Sequence, residues 1–155
     1  MRPNVTIEVV EYVQDGYVVS TAPDRLDLDM IHGYLSRSYW SPGIPRDVVA
    51  RSMVNSLCFG VYDSAAQVGF ARVISDYTTF AYLADVFILE PHQGRGLGKW
   101  LVACVLKHPK LQGLRRWMLA TQDAQGLYAQ YGFSVVDPPE RFMQIRNSVP
   151  SYDQP

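Results

Sequence analysis

Residues 92–100 read HQGRGLGKW, and this stretch decides how the rest of the chain is understood. Three glycines alternate with Arg95 and Leu97 directly after an apolar run, VFIL at 86–89, and lead into a second one, WLVACVL at 100–106. The second run has helical character, yet its start is poor by local rules. Glycine costs about 1 kcal/mol relative to alanine inside a helix. Arg95 and Lys99 also face the positive end of the helix dipole, where carboxylates are preferred. An anion on the loop removes the conflict. Backbone N–H groups at a helix start are unpaired and point outward, glycines let a ligand approach them closely, and two cations then become partners.

Working outward, the apolar strand before the loop is FAYLADVFIL (80–89), and the helix after it runs from about Gly96 to Lys107, where Pro109 ends it. RRWMLAT (115–121) reads as the next strand, so strand, loop, helix and strand form a crossover with a parallel pair. Upstream, SLCFGVYD (56–63) and QVGFARVIS (67–75) join by short polar turns into an antiparallel meander with 80–89. VTIEVVEYV and YVVST flank an Asp-Gly pair, a hairpin signal. Helices are expected from about Asp27 to Ser38, with Asp24 or Asp27 as cap, and from Pro45 to about Ser56. Downstream, QGLYAQYGF reads as a short helix ending at Gly132, SVV (134–136) and FMQI (142–145) as strands, and NSVPSYDQP as a frayed tail. The class is α+β, a mixed and mostly antiparallel sheet of about six to seven strands with about four helices. One domain over 1–147 and a flexible tail over 148–155 are expected.

The bulk properties narrow the function. At 155 residues, 48 % hydrophobic, 19 % charged and formal net charge −1, the chain fits an ordinary globular domain with no basic field for nucleic acid. No apolar run approaches the ~20 residues of a membrane span, and the N-terminus lacks a signal-peptide plan. Cys58 and Cys104 both sit in apolar contexts, without metal spacing or a disulfide framework. A soluble cytoplasmic protein without metal, membrane or nucleic-acid partners is expected, with a homodimer left open.

Two phosphate-binding readings of the loop fail on detail. A Walker loop requires a hydroxyl after Gly-Lys, and Trp100 follows Gly98-Lys99. A dinucleotide fingerprint requires G-x-G-x-x-G and a carboxylate about 20 positions on; the spacing here is G-x-G-x-G, and LQGLRRW (111–117) has no acid. Gln93-Gly94-Arg95-Gly96-Leu97-Gly98 instead resembles the Q/R-x-x-G-x-G/A signature of the GNAT superfamily, the acyl-CoA-dependent N-acetyltransferases. Leu127-Tyr128-Ala129-Gln130-Tyr131-Gly132-Phe133 is similar to that family's LYxxxGF segment, at the right separation. The likeness covers roughly 57–136, and the N-terminal third only in element order.

The resemblance implies acetyl-CoA as cosubstrate, with its pyrophosphate on the amides of 93–98 beside Lys99 and its pantetheine arm paired along Phe87 and Ile88. It implies direct attack of a primary amine, on a small molecule or a peptide, on the thioester. The alternative is a module that binds acyl-CoA without turnover. Tyr128 takes the place of the acid that protonates the leaving thiolate. Thr121 stands where the family often has asparagine toward the pantetheine arm. For a base, Asp85 interrupts an apolar strand and competes with Tyr82; the plainer role of Asp85 is a salt bridge, with Arg72 as partner. Alternation puts Tyr82, Ala84, Val86 and Ile88 on one face and Leu83, Asp85, Phe87 and Leu89 on the other. Tyr39, Trp40 and Tyr77 are aromatic loop candidates for the acceptor site, Asp76 is a loop carboxylate within reach of substrate, His92 a lining for the cofactor mouth, and His108 a cation at a helix C-terminus.

Overall fold

The computed structural model describes residues 7–148. Six strands form one sheet in chain order: β1 (Glu11–Gln14), β2 (Tyr17–Ser20), β3 (Leu57–Asp63), β4 (Ala66–Ser75), β5 (Phe80–Ile88) and β6 (Arg116–Leu119). Every neighbouring pair is antiparallel except β5 and β6, which run parallel as the crossover requires. Four α-helices accompany the sheet: α1 (Leu28–Leu35), α2 (Arg46–Val54), α3 (Leu97–Lys107) and α4 (Gln125–Ala129). The β1–β2 turn places Asp15 and Gly16 at φ 51° and 82°, the left-handed pair an Asp-Gly hairpin turn needs. Asp27 caps α1 by accepting from the Met30 N–H at 3.1 Å.

Two apolar layers sandwich the sheet. α3 repeats Leu97, Leu101, Cys104 and Val105 along one stripe and buries it against Phe59, Val61, Val73 and Leu83. α1 and α2 bring Ile31, Leu35 and Val49 to the opposite face, against Cys58, Phe70 and Phe87. Each such side chain removed from water contributes roughly 1.5–3 kcal/mol. β3 is buried along all but its last residue because both layers cover it. Burial pushes the Cys58 and Cys104 thiols up to about 12 and about 11, so both stay protonated as core residues.

Several expectations change. SVV and FMQI form no strand; Val135, Met143 and Ile145 are exposed, and a groove of about 450 Å³ separates 133–136 from β6. These segments are short, and Pro138 and Pro139 between them deny the backbone donors a ladder needs. His108 is buried rather than a solvated cation: burial holds its pKa below the ordinary value, and its Nδ1 accepts from the Lys110 N–H at 3.1 Å. The tail expected at 148–155 lies outside the described residues but for Ser148. No helix among the described residues is long and apolar enough to cross a membrane.

Candidate active site

β5 departs from simple alternation in its middle. Arg72 pairs with Ala84 and Phe70 with Phe87, so two residues of β5 oppose the single Ala71. This bulge carries Asp85 at φ 55°, a left-handed conformation that aspartate tolerates better than most residues. The extra residue reverses the facing of everything after it. Before the bulge Ala81 and Leu83 join the α3 layer; after it Val86 and Ile88 do, and Phe87 and Leu89 turn to the α1–α2 layer. The alternation expected from the sequence therefore fails at Asp85. Tyr82 and Asp85, assigned to opposite faces, both line the same cleft.

That cleft, about 890 Å³, opens where β5 and β6 part company. The two strands pair only from Phe80–Arg116 to Leu83–Leu119, although β5 continues to Ile88. Residues 83–86 form one wall and 119–124 the other, with Tyr128 of α4 between them. Tyr128 is 8 % exposed, packs edge-on to Phe133, and is held above the ordinary tyrosine pKa by burial and then by Tyr39. Thr121 lies in the second wall, where its Oγ1 accepts from the Ala124 N–H at 3.0 Å.

Asp85 spends both carboxylate oxygens on neighbours. Arg72 Nε donates to Oδ2 at 2.8 Å, and Trp40 Nε1 donates to Oδ1 at 3.0 Å. The side chains of Arg72 and Asp85 are 15 % and 13 % exposed, and Arg72 also reaches Ser56 Oγ at 3.1 Å. The salt bridge expected from the sequence is present, and with it the α1–α2 loop is tied to the bulge. Tyr34 stacks on Phe87 with ring centroids 3.9 Å apart, and Arg37 covers its other face while pairing with Glu90 at 3.0 Å. Tyr39 accepts from the Gln122 N–H at 3.3 Å and so bridges the cleft mouth. Tyr34, Arg37 and Asp123 carry no sequence signal, since each is an ordinary residue until distant elements meet.

The glycine loop lies beyond the cleft, at the other end of the open edge. Leu89 N–H donates to the Val68 carbonyl at 2.8 Å, so alternation turns the Ile88 N–H and carbonyl away from β4, toward the unpaired side. Gln93 Nε2 donates to that Ile88 carbonyl at 2.8 Å. Phe87, one residue earlier, directs its backbone at β4 and its ring into the core. Gly94 and Gly96 take φ 80° and 78°, and a Cβ on either, or on Gly98, would meet nothing within 4 Å. Gly96 caps α3 without any side-chain bond, and no acceptor among the described residues meets the N–H groups of Leu97, Gly98 and Lys99. Leu97 buries its side chain in the core, Lys99 is exposed, and Arg95 is drawn sideways to Tyr17 Oη at 2.8 Å, which also meets His92 Nδ1 at 3.1 Å.

Two candidates fall elsewhere. Tyr77 packs on the α3 layer, outside the cleft. Asp76 closes the β4–β5 turn, accepting from the N–H groups of Thr78, Thr79 and Phe80 and from the Thr79 hydroxyl. Those bonds hold its carboxyl well below the usual range.

Comparison with known proteins places this chain among relatives in both sequence and fold. A family model described as an acetyltransferase (GNAT) domain matches residues 55–135. A curated Gibberella zeae protein classed with the acetyltransferases is 34% identical, over 77% of this chain and 79% of its own length. A GNAT-family protein of Xanthomonas campestris, known from a crystal structure, is 50% identical with a TM-score of 0.84, over 89% of this chain and 97% of that one. A Clostridium acetobutylicum protein crystallised with acetyl-CoA shares the fold at 14% identity and a TM-score of 0.62, over 84% and 94%. The family match spans more than half of the chain, the relatives' identities agree with it, and the chain belongs to the GNAT family of acetyltransferases.

Proposed function

We propose that this acetyltransferase takes the acetyl group from acetyl-CoA and passes it to a primary amine of a small molecule or peptide, by direct attack while both substrates are bound. One observation carries the reading: the β6-side edge of β5 beyond Leu83 has no strand partner among the described residues and runs from the Tyr128 cleft to the open N–H groups of the glycine loop. An extended chain ending in a diphosphate suits that path. Its amide groups add to the edge at Ile88 as a strand would, and its phosphates meet the N–H groups of Gly96–Lys99 and the positive end of α3. Gln93 supports the edge through the Ile88 carbonyl, Thr121 faces the arm from the other wall, and Gly94, Arg95 and Lys99 complete the anion site.

The amine attacks the thioester carbonyl, the carbon–sulfur bond breaks, and the thiolate departs. A thiolate, whose thiol has pKa ~8.5, is a weaker base than a tyrosinate, whose phenol has pKa ~10, so full proton transfer from tyrosine is slightly uphill. Burial raises Tyr128 further, so it stays protonated and donates a hydrogen bond to the developing thiolate. A lysine-like amine of pKa ~10.4 is neutral only rarely at pH 7, a handicap of about 4.6 kcal/mol that positioning worth ~7–11 kcal/mol offsets. Asp85, with both oxygens engaged, holds the bulge and Trp40 in this mechanism. Tyr82, whose hydroxyl meets no partner among the described residues, is the group left to relay the amine proton to solvent.

Calorimetric titration with acetyl-CoA, beside CoA, NAD and ATP, tests the donor. Acetyl-CoA and CoA are expected to bind and the other two not to. Gly96→Val places a β-branched side chain at φ 78° over the amides, a backbone cost of roughly 1–2 kcal/mol before any obstruction. Affinity should fall at least about thirtyfold in protein that still melts cooperatively. Folded protein that binds neither CoA species overturns the reading; binding without thiol release from any amine leaves a sensor of acyl-CoA in its place.

A further inference from the structure

The cleft has two arginines and three carboxylates on its walls, and their pairing is lopsided. Arg72 is consumed by Asp85 and Ser56, and Arg37 by Glu90 and the Tyr34 ring. No other lysine or arginine lines the cleft among the described residues, so it holds no cation free to receive a carboxylate or phosphate. The acidic side is not saturated. Arg37 and Glu90 pair with each other, and Asp123, exposed on the wall beside Tyr128, meets no partner among the described residues, which leaves one carboxylate in excess. Aromatic surface lines the same cleft: Tyr39 and Trp40 pack edge to face at 5.1 Å, yet remain 55 % and 38 % exposed.

These features have one chemistry in common. An excess carboxylate raises the local concentration of cations, and exposed aromatic faces attract ammonium groups. Resting on the transferase reading, we infer that the acceptor is an amine that carries a second positive charge and no acidic group, with the aromatic pair lining its path and Asp123 holding the charge that is not acetylated. Tyr39 places that carboxylate: its hydroxyl accepts from the N–H of Gln122, the residue before Asp123. Amino acids and sugar phosphates are excluded as preferred acceptors, because their anionic group would enter a cleft with no free cation and an unpaired carboxylate.

Thiol release from acetyl-CoA is measured with 1,4-diaminobutane, butylamine, lysine methyl ester and lysine, the last two differing by one carboxylate. Diaminobutane is expected to show a KM at least tenfold below that of butylamine, and the ester a KM at least tenfold below that of lysine. Asp123→Asn, a change on an exposed loop, should raise the KM for diaminobutane at least fivefold more than that for butylamine. Lysine preferred over its ester, or an equal effect of Asp123→Asn on monoamine and diamine, overturns the inference. Calorimetry with diaminobutane alone keeps it separate from the donor. Diaminobutane binding that Asp123→Asn weakens, in protein that does not bind acetyl-CoA, sustains the acceptor class while the transferase reading falls. Absence of both binding and turnover with diaminobutane overturns the inference whatever the donor result.

Discussion

The glycine loop and the Tyr128 cleft meet along one strand, yet they are built in opposite ways. The loop is local. Residues 93–99 turn on two left-handed glycines, the second of which caps α3 without a side-chain bond, and Leu97 is their one buried core residue. The cleft is assembled from four separated stretches, around 34–40, 72, 82–90 and 119–128, tied by a few polar contacts. A local site tolerates change elsewhere, whereas an assembled one depends on whatever holds its parts in register.

The contrast breaks most sharply at Arg72. Arg72→Met leaves Asp85 buried with only an indole donor, and loss of one partner of a buried ion pair costs about 3 kcal/mol or more. Chemical denaturation should show that loss, while acetyl-CoA affinity, which the proposed function assigns chiefly to the glycine loop, is expected to stay within about threefold. Arg72→Met/Asp85→Asn should recover most of the stability, since the amide keeps the left-handed backbone without an orphaned charge. A single variant as stable as the parent would mean that the cleft is not held by this pair.

Tyr128 stands where the two regions join, and its removal should separate binding from chemistry. Tyr128→Phe keeps the ring that packs on Phe133 and deletes the donor. Steady-state kinetics should show kcat lower by about 10², near the small end for acid–base groups because full proton transfer is uphill, with acetyl-CoA binding little changed. Unchanged turnover would move the acid role elsewhere.

The smallest effect is expected at Asp76, which belongs to neither region. Its carboxyl is held below the ordinary value by hydrogen bonds within its own turn, so its contribution to stability is present above the unfolded pKa of about 4 and is lost as pH falls through the lower folded value. Asp76→Asn should therefore lower the melting temperature at neutral pH, and the gap to the parent should close below about pH 4. A gap independent of pH would place the effect in the amide's geometry rather than in charge.

What could be read in advance follows the same division. The hairpin at Asp15-Gly16, the Asp27 cap, the α3 stripe and the glycine loop were legible because each is a short-range pattern whose cause lies within a turn or two of chain. The assignment of Tyr82 and Asp85 to opposite faces failed because a bulge inserts one residue, and period-2 counting has no means of seeing an insertion that only pairing with Ala71 reveals. SVV and FMQI had strand character but found no partner among the described residues, since a strand is stabilised by its neighbour rather than by its own sequence.

The sequence by itself determined the crossover from β5 through α3 to β6 and the glycine turn that opens α3, because backbone geometry at a loop is set locally. Only the tertiary structure decided that Asp85 is bound on both oxygens, that both cleft arginines are already paired, and that Asp123 meets no partner among the described residues. Charge pairing depends on distance in space, and residues 40, 72, 85 and 123 become neighbours only when the sheet, its bulge and the α1–α2 loop close on one another.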